Sequence, residues 1–147
     1  MKTADFPALG EKLTRALIDG NFELYESIIH LPLRVAPRDG DPYVLNTVEE
    51  LKVNFGKYCA AIQANNVTDI FRRPISITEL AEDWIEVTVE MHVLSQSGRI
   101  VDPFRSQFVL RPQGGEWRIA IIRSSLGYIS WTLGRIKIDD DRQFGDL

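Results

Sequence analysis

Arg123, His30, Tyr58 and Ser106 are the side chains whose types and placement suit work on a small molecule. An arginine presents a rigid fork of N–H donors that matches a carboxylate. Arg123, with Ser106 opposite, would therefore anchor an anionic ligand if it faced inward. The structural alternatives are an ion pair with a helix carboxylate such as Glu26, or a stem that snorkels to the rim. His30 titrates near neutrality and suits a general base or a ligand donor, and it suits equally a cap on helical carbonyls. Tyr58 brings a hydroxyl that needs a partner if buried, either for core packing or for proton donation.

Other groups carry weaker chemistry. His92 and Glu90, two residues apart, supply too few ligands for a metal, so no metal is expected there. Cys59 has no neighbouring base or cation in sequence and reads as a small buried hydrophobe. Ser124 and Ser125 lack the strand–turn–helix setting of a nucleophile elbow. Asp39, Asp41 and Asp102 fall in turns whose direction the sequence does not fix.

The inward placement of Arg123 rests on strand parity. Trp84 to Leu94 alternates polar and apolar residues without interruption, and period two sends alternate side chains to opposite faces. With a two-residue hairpin loop centred on Ser97-Gly98, Met91 faces Phe104, Val87 faces Phe108 and Ile85 faces Leu110. The other face then pairs Glu90 with Arg105, Thr88 with Gln107 and Trp84 with Arg111. A second turn at Gly114-Gly115 sets Leu110 against Ile119, Phe108 against Ile121 and Ser106 against Arg123. This register puts Arg123 inside, and Glu86 and Glu90 outside. It also leaves Trp84, Thr88, Gln107, Val109, Ala120 and Ile122 on the outer face, a mixture suited to a homodimer interface or to cover by the tail.

The amino-terminal half is helical. Asp5 caps a first helix with Leu9, Leu13, Ala16 and Leu17 on one stripe, and Gly20 ends it. A second, short helix runs roughly from Phe22 to Ile29. Pro32 makes the segment from His30 to Val35 extended. Thr47 and Glu50 form a capping box for a third helix whose apolar stripe is Leu51, Phe55, Tyr58, Cys59 and Ile62, ending at Asn65-Asn66. Thr68 to Glu79 is a further strand, with Ile75 and Ile77 alternating with Ser76 and Thr78, and Pro74 marks an edge position or a bulge.

Composition narrows the class. At 147 residues, 44% hydrophobic and 26% charged, the chain suits one globular domain, 1–147, with a core over 6–125 and a docking tail over 126–147. A net charge of -4 argues against a nucleic-acid surface. A single cysteine and the lack of a leader pattern suggest a cytoplasmic protein. No apolar run approaches the roughly 20 residues of a membrane span.

The run Phe108-Val-Leu-Arg-Pro-Gln-Gly-Gly-Glu-Trp-Arg-Ile119, with His30-Leu-Pro-Leu-Arg34 after two short helices, resembles the nuclear transport factor 2-like superfamily, particularly its SnoaL-like members. The resemblance covers roughly Phe6 to Ser125. It implies an α+β, cystatin-like cone: a curved antiparallel sheet wrapped around amino-terminal helices, with an interior pocket and frequent dimerisation through the sheet. Relatives include ketosteroid isomerases, polyketide cyclases, dehydratases, dioxygenase small subunits and plain binding or assembly modules, so fold alone does not assign chemistry. Isomerase-like and cyclase-like members use an interior aspartate as proton shuttle, and the strand acids of this chain fall outside. The expectation is a cofactor-free small-molecule-binding protein for an anionic or carbonyl-bearing ligand, with lyase, isomerase or cyclase chemistry as its catalytic form. The alternative is a non-catalytic binding or assembly module that dimerises through the outer face.

Overall fold

Helix starts and stops come from side chains that satisfy the end groups of the backbone. The computed structural model describes residues 6–37 and 41–125. Helix α1 (Phe6–Asp19) buries Leu9, Leu13, Ala16 and Leu17, the expected stripe, and Gly20 follows it with φ 68°, a left-handed conformation natural to glycine. Helix α2 (Phe22–Ser27) is shorter than expected. The side chain of Asn21 caps its start, and Ile28 already ends it. Helix α3 (Val48–Ala64) begins with the full capping box of Thr47 and Glu50. Thr47→Ala removes one of its reciprocal bonds and should cost about 1 kcal/mol in chemical denaturation; an unchanged midpoint would show that packing alone holds this end.

The strands are β1 (Ile29–Pro37), β2 (Tyr43–Leu45), β3 (Val67–Ala81), β4 (Trp84–Ser95), β5 (Gly98–Arg99), β6 (Phe104–Gln113) and β7 (Glu116–Ser125). They form one sheet in the order β2-β1-β7-β6-β4-β3, with β5 paired to β4. The sheet is curved and does not close, and the helices pack on its concave side. The α+β cone expected from the sequence is therefore present. The sequence did not indicate β2 or the parallel pairing of β1 with β7.

The β4–β6 register matches expectation at every position from Ile85 opposite Leu110 to Met91 opposite Phe104. The turn itself is Gln96–Ser97, one residue earlier than expected, with Ser95 opposite Gly98. The residues between Arg99 and Phe104 then shift the register by an even number, which preserves parity. The Arg111 guanidinium lies 4.3 Å from the Trp84 ring centroid, the expected cation–π pair.

Of the register shifts in the rest of the sheet, two decide which arginine faces the cone. Strand β7 follows the expected register as far as Ile119 opposite Leu110, and then Ile121 pairs with Val109, which leaves Ala120 as an extra residue. Beyond it Phe108 faces Ile122 instead of Ile121, and Gln107 faces Arg123. Strand β3 is the sheet edge, and its register shifts between Pro74 and Ser76, so that Ile75 is extra. Proline removes a ladder donor, and both expected uses of Pro74, edge and bulge, occur together.

Candidate ligand-binding site

Each bulge reverses the face of the residues beyond it, so one arginine leaves the concave side and another joins it. Arg123 points outward, against expectation: its Nη1 donates to Glu86 Oε2 at 2.7 Å, and its side chain is 42% exposed. Ala120 is the physical reason, since one inserted residue inverts the alternation. Ile122, expected outside, lines the interior. Arg123→Ala should cost under about 1 kcal/mol, the range of partly exposed ion pairs. It should also leave every ligand response intact in a thermal-shift assay.

Arg72 is the buried arginine. Before the β3 bulge, Ile70 faces Val93 and Arg72 faces Met91, whereas after it Ile77 faces the buried Val87. Arg72 is 9% exposed. Nη1 donates to the Gly10 carbonyl at 3.0 Å and to Thr14 Oγ1 at 2.6 Å. Thr14 Oγ1 in turn donates to the Ile70 carbonyl at 2.9 Å. These bonds use both hydrogens of Nη1. Nε has no hydrogen-bond partner, and among the described residues no carboxylate forms an ion pair with Arg72. Burial pulls its pKa down to about 10, with Asp69 and then Tyr25 acting in the opposite direction.

Arg72 lines a half-open cavity between α1, α2, α3 and the concave sheet. Its walls are largely apolar, with Leu13, Leu17, Leu33, Met91, Phe104 and Phe108 prominent, and its polar groups are Tyr25, Asn54, Tyr58, Arg72 and Ser106. The cavity measures about 60 Å³. That admits a few water-sized groups at roughly 10–15 Å³ each, far less than the roughly 300–1,000 Å³ of a site for a drug-sized ligand.

Polar groups in and behind the cavity wall hydrogen-bond within the protein. Asn54 Nδ2 donates to Tyr43 Oη at 3.1 Å, and Tyr58 lies beside that hydroxyl. Burial, followed by the neighbouring Tyr58, pushes the phenols of Tyr25 and Tyr43 well above their usual range, so both stay protonated at any working pH. Ser106 is 2% exposed and donates to the Arg123 carbonyl at 2.9 Å, across the strand pair. No carboxylate and no imidazole lines the cavity among the described residues. The arrangement can stabilise negative charge and has no evident proton acceptor.

Of the four side chains singled out in the sequence, Tyr58 and Ser106 line this cavity, and His30 and Arg123 do not. His30 is the second residue of β1 and not a helix end, because α2 stops early; its Nδ1 is buried without a partner. Cys59 Sγ donates to the Leu17 carbonyl at 3.5 Å, and burial pushes the thiol up to about 11. On the outer face Glu90 accepts from Arg73 Nε at 3.3 Å and meets His92 Nε2 at 2.8 Å. These contacts, Arg73 first, hold its carboxyl below the usual range. Arg99 Nε lies 3.3 Å from His92 Nδ1, so the protein's own cations occupy this pair. Among the described residues no three of His, Cys, Asp and Glu assemble as a metal site, and no helix is long and apolar enough to cross a membrane.

Solved structures share this architecture. A protein of unknown function from Shewanella oneidensis MR-1, described as NTF-2 like, superposes with a TM-score of 0.62 at 16% identity, covering 85% of this chain and 99% of its own. A domain of unknown function with a cystatin-like fold from Nostoc punctiforme PCC 73102 gives 0.60 at 13% identity, covering 99% of this chain and 85% of its own. The fold is that of the nuclear transport factor 2-like superfamily. A third structure, from Shewanella frigidimarina NCIMB 400 and provisionally named a ketosteroid isomerase, gives 0.58 at 19% identity, covering 79% of this chain and 90% of its own. No family model matches the sequence, and no curated protein matches it either. At these identities the likeness extends to the nuclear transport factor 2-like fold and not to any activity.

Proposed function

We propose that this protein binds a small anionic or carbonyl-bearing ligand in the cone, with Arg72 as the anchor and Tyr58 and Ser106 in the surrounding wall. The observation that carries the proposal is the buried guanidinium of Arg72, which forms no ion pair with a carboxylate among the described residues. A buried charge is costly unless paired; Nη1 bonds to the Gly10 carbonyl and Thr14, and the buried Nε has no partner among the described residues. A guanidinium with uncommitted N–H groups takes a carboxylate through charge-assisted hydrogen bonds.

Binding without proton transfer is the form the cavity favours. Isomerase, lyase or cyclase chemistry needs a base within hydrogen-bond reach of the substrate. Of the proton carriers considered from sequence, Tyr58 lines the cavity, His30, Asp41 and Asp102 do not, and Asp39 lies outside the described residues. The assembly alternative loses part of its apolar surface, since Val109 and Ala120 are already 1% and 4% exposed within one chain. Self-association through the remaining outer face is compatible with ligand binding and belongs to the same proposal.

A titration series of acetate, propionate, butyrate and hexanoate at constant ionic strength tests it, read from the Arg72 Nε–H resonance and the thermal midpoint. Short acids should shift both saturably, and hexanoate should act far more weakly because the cavity cannot hold its chain. An Nε–H signal that no carboxylate moves would sink the proposal.

A further inference from the structure

We infer that the ligand is a short hydroxy acid, its carboxylate on Arg72 and its hydroxyl on Tyr25. This rests on the assignment of Arg72 as the anion anchor and names the group that meets the rest of the ligand. Tyr25 is held by α2, and its ring packs on Phe55 with centroids 4.7 Å apart. The residue is 4% exposed and lines the same cavity as Arg72. Among the described residues its hydroxyl makes no hydrogen bond, and it is not sealed away from the surface as Arg72 Nε is. An oxygen that is unbonded, unsealed and on a buried residue opens on the cavity.

The neighbours of that oxygen fix where it points. Burial first, and then Tyr58 and Cys59, keep its proton on, while Arg72 acts against them. Tyr58 and Arg72 are both cavity walls, so the hydroxyl and the guanidinium look onto one space. Phenylalanine would pack on Phe55 equally well and would avoid the cost of an unpartnered buried hydroxyl. Other polar groups here are already engaged, Asn54 with Tyr43 and Ser106 with the Arg123 carbonyl. Tyr25 therefore offers one proton and its lone pairs to whatever enters. A ligand hydroxyl can use both, and a methyl group neither. Apolar walls alone favour the methyl, because a hydroxyl taken from water without a partner is penalised. Pairing with Tyr25 reverses that order, since the methyl analogue leaves the phenol unpaired.

The decisive comparison uses two isosteric pairs, glycolate with propionate and β-hydroxypropionate with butyrate, in calorimetric and thermal-shift titrations of wild type and Tyr25→Phe. The substitution breaks no hydrogen bond among the described residues, so the unliganded midpoint should not fall. Wild type should bind the hydroxy acid of at least one pair about tenfold more tightly than its isostere. Tyr25→Phe should prefer the plain acid of both pairs and bind propionate and butyrate at least as well as wild type does. Plain acids bound as tightly as their hydroxy isosteres in wild type, or a preference for a hydroxy acid that survives in Tyr25→Phe, overturns the role of Tyr25 and leaves the anion site standing. A midpoint several degrees lower in the variant makes the phenol part of the fold and overturns that role as well. If no member of either pair binds wild type, the anion site itself is wrong and this inference falls with it.

Discussion

Replacing Arg72 with Met is expected to abolish the response to short carboxylates while leaving the protein as stable as wild type or slightly more so. The binding loss follows from two charge-assisted hydrogen bonds, together about 3 kcal/mol or roughly 100-fold in affinity. The stability expectation follows from the cost of holding the charge inside. Burial lowers the guanidinium to about 10, a shift on the order of 3 kcal/mol at about 1.36 kcal/mol per unit. Because the folded value lies below the unfolded one, the unfolded chain holds this proton more tightly. The penalty is therefore present at every pH below about 10 and is relieved only as pH climbs above about 10 towards the ordinary arginine value. Methionine fills the stem's volume without the charge, and Thr14 keeps its bond to the Ile70 carbonyl. Offsetting the two lost bonds of Nη1 against the relieved burial cost leaves a gain of about 1 kcal/mol, a few degrees in Tm. A variant that unfolds several degrees earlier would identify Arg72 as a structural strut between α1 and β3 and not as an anchor held for a ligand.

Deleting Ala120 should close the bulge and leave the pairing beyond it unchanged. Ile121 then follows Ile119 directly and keeps Val109 as its partner, so Ile122 still faces Phe108 on the cavity side and Arg123 still faces Gln107 outside. Arg123 therefore keeps Glu86, its partner at 2.7 Å. The cost is that of losing a buried alanine and straightening the strand, about 1–3 kcal/mol in denaturant unfolding. Ala120→Gly keeps the extra residue and should cost only about 1 kcal/mol, which separates the effect of the bulge from that of side-chain removal. Within the deletion variant, Arg123→Ala should still cost under about 1 kcal/mol; a far larger effect, or loss of the cooperative transition in the deletion itself, would mean that Arg123 had turned inward.

These two residues mark where local pattern stops being sufficient. The β4–β6 pairing was legible because an unbroken alternation on each strand admits one register that matches apolar to apolar, and an even shift near the turn does no harm to parity. The α3 capping box was legible because Thr47 and Glu50 satisfy each other within four residues. Arg123 was misplaced because Ala120 carries no turn chemistry: an alanine in a strand looks the same whether it is paired or extra. Arg72 was overlooked for the complementary reason, since the alternation of Ile75 and Ile77, extended backwards, puts it outside. Pro74 was the available signal for a bulge, but it does not say on which side of it the parity changes.

From its order of residues alone this chain determines its class of fold: capped helices first, then a strongly alternating meander with glycine turns, the features that carry the resemblance to the nuclear transport factor 2-like superfamily. Those properties arise within a few residues, where covalent geometry and side-chain capping set the outcome. Which arginine lies in the cone is decided only in three dimensions. It depends on the positions of Ile75 and Ala120 as extra residues, on the parallel contact of β1 with β7, and on α1 lying against the edge strand so that Gly10 and Thr14 receive Arg72. Each of these is a long-range pairing whose free energy comes from the assembled sheet and core, and only the bulge at Ile75 leaves a mark in the neighbouring sequence, Pro74.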